Sequence, residues 1–298
     1  MGSVALGATL AVAAGLLYNG GVALQSLEAR RTPAHWAWRP TLISGLLKRR
    51  RWLLGTVIGL LGWPLHGASL LFAPLAVVQP ALALGLVLLL IVGARLGERV
   101  GVRDILAVTA LVIGVTVLAT VAPPFHLSPN RPGGGSGAGI VFAALALSAA
   151  AGATLARSRP LDARLGAVVG GLCFAASGMS TALAAAALHR GRPYALVLWL
   201  LVSAAGGILG LVAEMSALQR APASHVAPFE LALQIVIPVL LSPAIGAGPI
   251  GRGTTGVVVT LLAATLVTAS AVVLLGSSGA IRMVIEDRPA GPSGVGSL

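Results

Sequence analysis

Apolar residues run through this chain in solid blocks, not in one stripe and not at every second position. Ala, Leu, Val and Gly fill nine stretches, at 4–27, 52–72, 75–95, 104–121, 138–156, 165–187, 194–218, 222–243 and 254–275. Each is about 20 residues long, the length that carries an α-helix across a bilayer. Barrel strands alternate polar and apolar positions, and these blocks do not. Helices and closed barrels are the two structures that satisfy every backbone group in lipid. The pattern therefore predicts an all-α polytopic membrane protein of about nine transmembrane helices. Prolines and short polar clusters separate the blocks. The segment APPFHLSPNRPGGGSG at 122–137 reads as a linker between a first membrane unit, 1–121, and a second, 138–276. Residues 277–298 are polar and Gly-rich and read as a flexible cytoplasmic tail.

Composition agrees with the pattern. The chain is 57% hydrophobic and 9% charged over 298 residues, with a mean hydropathy of +0.96. Soluble domains carry about 25% charged residues. The net charge of +12 invites a nucleic-acid partner. The positions of the charges exclude it, because Lys and Arg sit at the ends of the apolar blocks, where they orient helices. With the N-terminus outside, sixteen of the twenty Lys and Arg fall inside, and Arg131, Arg190, Arg192 and Arg252 stay outside. That asymmetry favours a multi-pass protein of the cytoplasmic membrane with its C-terminus inside. The N-terminus lacks a basic leader, and its apolar run is too long for a signal peptide, so it reads as the first span. The single cysteine, Cys173, leaves no intrachain disulfide and no Cys-rich metal site. One segment is ambiguous: AHWAWRPTLISGLL, 34–47, is semi-apolar and carries Arg39 and Pro40. Its length favours an interfacial helix; if it crosses, there are ten spans.

An internal repeat is visible. GLLGWPLHGASLLFAPLAVVQP (59–80) aligns with GILGLVAEMSALQRAPASHVAP (207–228) at an offset of 148, with eight identities in 22 positions. Pro74/Pro222 and Pro80/Pro228 are the informative pairs, because each proline breaks a backbone hydrogen bond. The charge asymmetry puts the first hairpin turn outside and the second inside. The two hairpins thus run in opposite directions, as in transporters built from inverted repeats.

The run RRRWLLGTVIGLLGWPLHGASLLFAPLAVVQPALALGLVLLLIVGARLGERVGVRDILAVTALVIGVTVLA (49–119) resembles the drug/metabolite transporter superfamily, in particular its EamA-like, NIPA-like and actinobacterial branches. Ala73-Pro74 before a helix, Val78 and Pro80 within it, LGER at 96–99 and the Ile-Gly-Val turn at 113–115 carry the likeness, which extends more loosely to 195–275. The resemblance implies a bundle of two inverted halves and alternating-access transport of amino acids, sugars, nucleotide sugars, drugs or, in the NIPA branch, magnesium. Trp63 and His66 stand where NIPA-like proteins tend to have an acidic residue and an amide, which counts against magnesium.

The candidate chemistry lies in the few polar residues of the blocks. Glu214 and His66 are repeat-related. Gly55, Gly59, Gly62 and His66 share one helix face, as do Gly207, Gly210 and Glu214. Small residues let a neighbouring helix approach, so the polar group faces protein. A carboxylate at a helix centre costs about 2.5–3.5 kcal/mol on insertion scales. The competing reading is that Glu214, near Arg220, is solvated at the interface or ion-paired, and that His66 is an ordinary hydrogen-bonded interior histidine. Glu230 and Gln234 are i,i+4 partners in the next span. Two neighbouring carboxyls suit proton coupling, and Arg220 pairing with one of them is the alternative. Tyr18, Asn19 and Gln25 form a polar strip that lines a path or bonds helices together, and Gln79 is a weaker candidate. His225 reads as interfacial, and Glu98 and Asp104 as solvated loop charges. The Gly-rich GGGSG at 133–137 has no phosphate-loop context. The expected function is secondary transport of a small polar or amphipathic solute, coupled to protons. Glu214, Glu230, His66, Gln234, Tyr18 and Asn19 are the expected path. No catalytic group, cofactor or metal is expected, and the partners are the solute, protons, lipid and, as an option, a second copy in a homodimer. Magnesium transport and a non-transport role as a membrane scaffold or lipid-handling accessory protein are the alternatives.

Overall fold

A computed structural model describes residues 2–73, 75–95, 100–121, 163–241, 243 and 250–286, with 146, 150 and 154. The linker 122–137, most of the block 138–156, the LGER segment and residues 287–298 lie outside the described residues. Everything described is helix or connection, with no strand. In chain order the helices are α1 (Gly2–Ala29), α2 (Pro40–Leu46), α3 (Arg50–Phe72), α4 (Leu75–Ala83), α5 (Gly85–Arg95), α6 (Val102–Val121), α7 (Ala163–His189), α8 (Pro193–Leu218), α9 (Ala223–Leu241) and α10 (Gly253–Glu286). Among the described residues seven helical stretches are long and apolar enough to cross a membrane: α1, α4–α5 together, α6, α7, α8, α9 and α10. The 23-residue α3 carries Trp63, Pro64 and His66 and is not among the seven. Its outward residues Leu53, Leu54, Val57, Leu60 and Leu61 are nonetheless exposed apolar side chains.

Several boundaries differ from the expectation in instructive ways. The block 75–95 is jointed at Leu84, four residues after Pro80. Pro80 has no N–H to donate to the turn before it, and the Leu84 N–H closes on the Pro80 carbonyl before α5 restarts. Pro228 and Pro238, by contrast, sit within an unbroken α9. α10 continues as far as Glu286, so the polar C-terminal segment begins as helix. Residues 34–47 form a 3-10 turn, Ala34–Trp36, and the seven-residue α2. That helix rises about 10 Å, a third of the hydrocarbon thickness, and cannot cross it.

Asp104 and His225 depart furthest from their sequence reading. Asp104 is 5% exposed, and its Oδ2 accepts the Gly101 N–H at the start of α6. Its Oδ1 lies 3.7 Å from Nε2 of the buried His225 on α9. Neither side chain is solvated. The helix start supplies N–H groups that favour a carboxylate, and α9 covers the pair.

Glycine sets how closely α1 is gripped. A Cβ on Gly85 would fall against the Gly15 carbonyl and the Asn19 amide, and one on Gly15 against the Leu82 backbone. A Cβ on Gly21 would meet the Gly55 carbonyl at 2.6 Å, and one on Gly62 the Tyr18 ring at 3.2 Å. α1 thus lies backbone to backbone against α3 and the α4–α5 pair. In the second half α8 lies against α7 through Gly206 and Gly210. One end of the bundle collects most of the described cationic residues. There the carboxylate of Glu28 on α1 accepts hydrogen bonds from Arg31 and from Arg49 beside α3, both at 3.0 Å. Gln219 at the end of α8 reaches Thr32 at 2.6 Å, and Arg164 on α7 reaches the Gly276 carbonyl of α10 at 3.4 Å.

Two substitutions test the grip. Gly85→Val pushes α5 off α1 and is expected to destabilise the folded bundle by about 1–3 kcal/mol, as overpacking does. Gly20→Ala faces open space and is expected to gain about 0.5–1 kcal/mol from helix propensity. Thermal unfolding in detergent reads both, and equal shifts would remove the close approach as the cause.

Candidate functional site

Between the two halves lies a cavity of 780 Å³. Seven helices line it, α5 through Leu86 alone. α1 supplies Tyr18 and Asn19, α3 supplies Trp63 and His66, α4 supplies Gln79, and α7 supplies Phe174 and Met179. From α8 comes Glu214, and from α9 come Glu230, Gln234 and Pro238. All six residues expected to form a path therefore border one space, as does Gln79. Gln25 does not. It is buried, and its Nε2 donates to Thr56 Oγ1 of α3 at 2.9 Å, so it bonds two helices together.

Local sequence explains how each side chain arrives. Tyr18 fits because Gly62 leaves room beside its ring. Asn19 donates to the Gly15 carbonyl one turn back, at 2.9 Å, which holds its amide along α1. Glu230 and Gln234 are one turn apart on the face of α9 turned toward the cavity. Glu214 follows Gly207 and Gly210, and those small residues bring α8 against α7.

The two carboxyl-bearing residues meet over Gly170 of α7. A Cβ there would press on the Glu230 carboxyl and would lie 3.5 Å from the Glu214 amide nitrogen. Only a residue without a side chain leaves space for both. Glu214 is 7% exposed and Glu230 2%. Glu230 Oε1 and His66 Nε2 have no hydrogen-bond partner among the described residues. Among the described residues no Lys or Arg borders the cavity. Buried ionised carboxylates need a compensating cation or hydrogen-bond donors. The site therefore holds acceptor capacity that its own side chains leave unused. Among the described residues no group of three or more His, Cys, Asp or Glu gathers as a metal cage.

Toward the basic end the cavity stops at Glu214 and Ala227. Beyond them the packing is dense. Met215, Ala217, Leu218 and Val226 are fully covered, and the Trp52 indole N–H points at Met215 Sδ, 3.3 Å away. Toward the opposite end the lining runs on through Trp63, Ala182 and Pro238.

Sequence reasoning missed the contribution of α7. Gly170, Phe174 and Gly178 recur at four-residue steps and so share a face. That spacing was legible, but it contains no polar residue to draw attention. A methyl at Gly170 is expected to displace the Glu230 carboxyl. Gly170→Ala should cost about 1–3 kcal/mol of stability and abolish any activity that needs the two carboxyls together. Thermal unfolding and a solute-uptake assay on the same preparation separate the two effects, and full activity would dissociate Gly170 from the site. No protein-family model, no curated protein and no solved structure matches this chain.

Proposed function

We propose that the chain is a secondary transporter of the drug/metabolite type. It moves a small polar or amphipathic solute across the cytoplasmic membrane through the cavity between its halves, coupled to protons. The observation that carries this reading is one cavity bordered by both Glu214 and Glu230 and, among the described residues, by no Lys or Arg. Carboxylates in that setting take up a positive charge from whatever enters. Protons supply it in one state and a cationic group of the solute in another. Tyr18, Trp63 and Phe174 offer aromatic faces to such a group. A solute with a protonated amine and an apolar body therefore fits best. The volume suits a drug-sized molecule far better than a bare metal ion.

The architecture supports the same reading. In the first half α1 packs on α3 and on α4–α5, and α4 packs on α6. In the second half α7 packs on α8 and α9, and α9 packs on α10. The order of contacts repeats, with α1 answering to α7, α3 to α8, α4–α5 to α9 and α6 to α10. It is the order an inverted-repeat transporter would have, with binding at the repeat interface. Counting α3 and the block 138–156 with the seven apolar stretches gives nine spans. Nine spans put the N-terminus outside and the basic end inside. His66 and Glu214, the repeat-related pair, then face one another's cavity from opposite halves.

The test is flux in proteoliposomes under an imposed pH gradient, with phenethylammonium, its neutral analogue 2-phenylethanol and magnesium as probes. Proton-driven movement of phenethylammonium is expected, falling at least tenfold in Glu214→Gln, while 2-phenylethanol crosses equally well in protein-free vesicles. Equal coupling in wild type and Glu214→Gln would remove Glu214 from the mechanism. Protein-dependent flux of magnesium alone would turn the reading to a divalent-cation transporter, and no protein-dependent flux of any probe to a scaffold or lipid-handling role.

A further inference from the structure

The two halves separate along one side of the bundle. Near the basic end α3 and α8 touch, with the Trp52 indole N–H 3.3 Å from Met215 Sδ and both residues buried. Met215, Ile208 and Leu201 recur at seven-residue steps and so share one face of α8. Met215 is fully covered, whereas Ile208 and Leu201 are each 64% exposed. α3 changes in the same way. Trp63 lies about three turns beyond Trp52 and so faces the same side. It is 68% exposed, against 2% for Trp52. A Cβ on Gly59 or Gly67, one turn to either side of Trp63, would meet nothing within 4 Å. The two helices therefore touch at the basic end and diverge toward the other.

The cleft between them leads into the cavity. Trp63 borders the cavity and is also exposed outside it. Gly178 of α7 does the same, and a Cβ there would again meet open space. Trp63 stands about 20 Å beyond Arg50 at the start of α3, inside a hydrocarbon core about 30 Å thick. With α3 as a span, an exposed side chain at that depth meets acyl chains. Ala227 and Pro238 of α9 both border the cavity and lie about 16 Å apart, so 780 Å³ leaves about 50 Å² in cross-section. A slot of that width takes one ring or one chain. Its mouth is apolar and its deep end acidic. There Glu230, 2% exposed, has Oε1 without a hydrogen-bond partner among the described residues. Along α7 the carboxyl level at Gly170 and the mouth at Gly178 are about 12 Å apart.

We propose that the cleft between α3 and α8 is a side entrance from the leaflet opposite the basic end, and that its occupant is a single-chain cationic amphiphile. The ammonium group sits at Glu214 and Glu230, and the chain leaves past Gly178 and Trp63 into lipid. A primary ammonium donates to the open Glu230 Oε1, a charge-assisted bond. The chain replaces lipid at the mouth, so its methylenes stay out of water throughout. Such a solute reaches the carboxyls by diffusion within the membrane. The assignment of α3 as a span comes from the transport reading, on which this entrance rests.

The test is spin-label accessibility in proteoliposomes, with dodecylammonium as the probe. Cys173 is the single cysteine, so Cys173→Ser gives a clean background. A nitroxide on Gly178→Cys should collide with oxygen, which concentrates in hydrocarbon, far more than with water-soluble nickel ethylenediamine diacetate. Dodecylammonium should lower the oxygen collision rate there at least twofold, and uncharged dodecanol should not. Glu214→Gln with Glu230→Gln should abolish that protection. A label on Leu262→Cys should not respond, because Leu262 is 65% exposed on α10, away from the cavity. Thermal unfolding identifies a variant that has lost its fold, and Ile208→Cys then reads the cleft from α8. Collisions dominated by the nickel complex would overturn the lipid entrance in favour of a water-filled mouth. No protection, or equal protection at Leu262→Cys, would overturn the amphiphile. Protection without proton-driven flux of dodecylammonium would instead overturn the transport reading and leave the entrance standing.

Discussion

Helices in lipid receive no hydrophobic push toward one another, because acyl chains are as apolar as leucine. Association then depends on how closely backbones can approach. In this chain that constraint is met by glycine. Gly15 and Gly85 bring α1 and α5 into backbone contact, Gly21 and Gly55 do the same for α1 and α3, and Gly206 and Gly210 seat α8 on α7. Each close approach has a local consequence for chemistry. Gly62 leaves room for the Tyr18 ring, and Gly170 leaves room for a carboxyl and the neighbouring backbone at once. The polar residues are therefore arranged by what the glycines omit.

The limits of the cavity follow from the same packing. Trp38, on the loop that precedes α2, packs against α7 and α8 beside their seam and does not border the cavity. A buried apolar layer of Trp52, Met215 and Leu218 lies between the cavity and the basic end. At the opposite end the lining passes through Trp63 and Pro238, and the described residues place no comparable layer beyond it.

Much of this was legible in the chain, and the exceptions share a cause. Apolar blocks located the long helices, because hydrocarbon thickness imposes length directly. Rarity located the polar cavity residues, because Glu214, Glu230 and Gln234 stand out in solid Ala/Leu/Val/Gly segments. Local pattern could not reveal the burial of Asp104, which depends on a histidine more than a hundred residues away. Nor could it reveal Trp38 at φ 62°, in the left-handed region that favours glycine, since that backbone alone disfavours tryptophan and only packing against α7 and α8 offsets that. The joint at Leu84 is intermediate: Pro80 announced a weakened helix, but Pro228 and Pro238 announce the same and α9 stays whole. The difference lies in the neighbours, not in the proline.

The helix that bears Glu214 is the least enclosed of the seven apolar stretches. The most apolar window of α8 is 6% buried, against 33–50% for the others. It is 26 residues long, and so rises about 39 Å, more than the hydrocarbon core of a typical bilayer. A helix longer than its membrane tilts, and one held mainly along α7 has the freedom to do so. Acyl-chain length therefore sets the inclination of α8, and with it the depth of Glu214. Lipid composition becomes a physical input to the carboxyl site, acting through the thickness of the solvent rather than through any contact with the cavity.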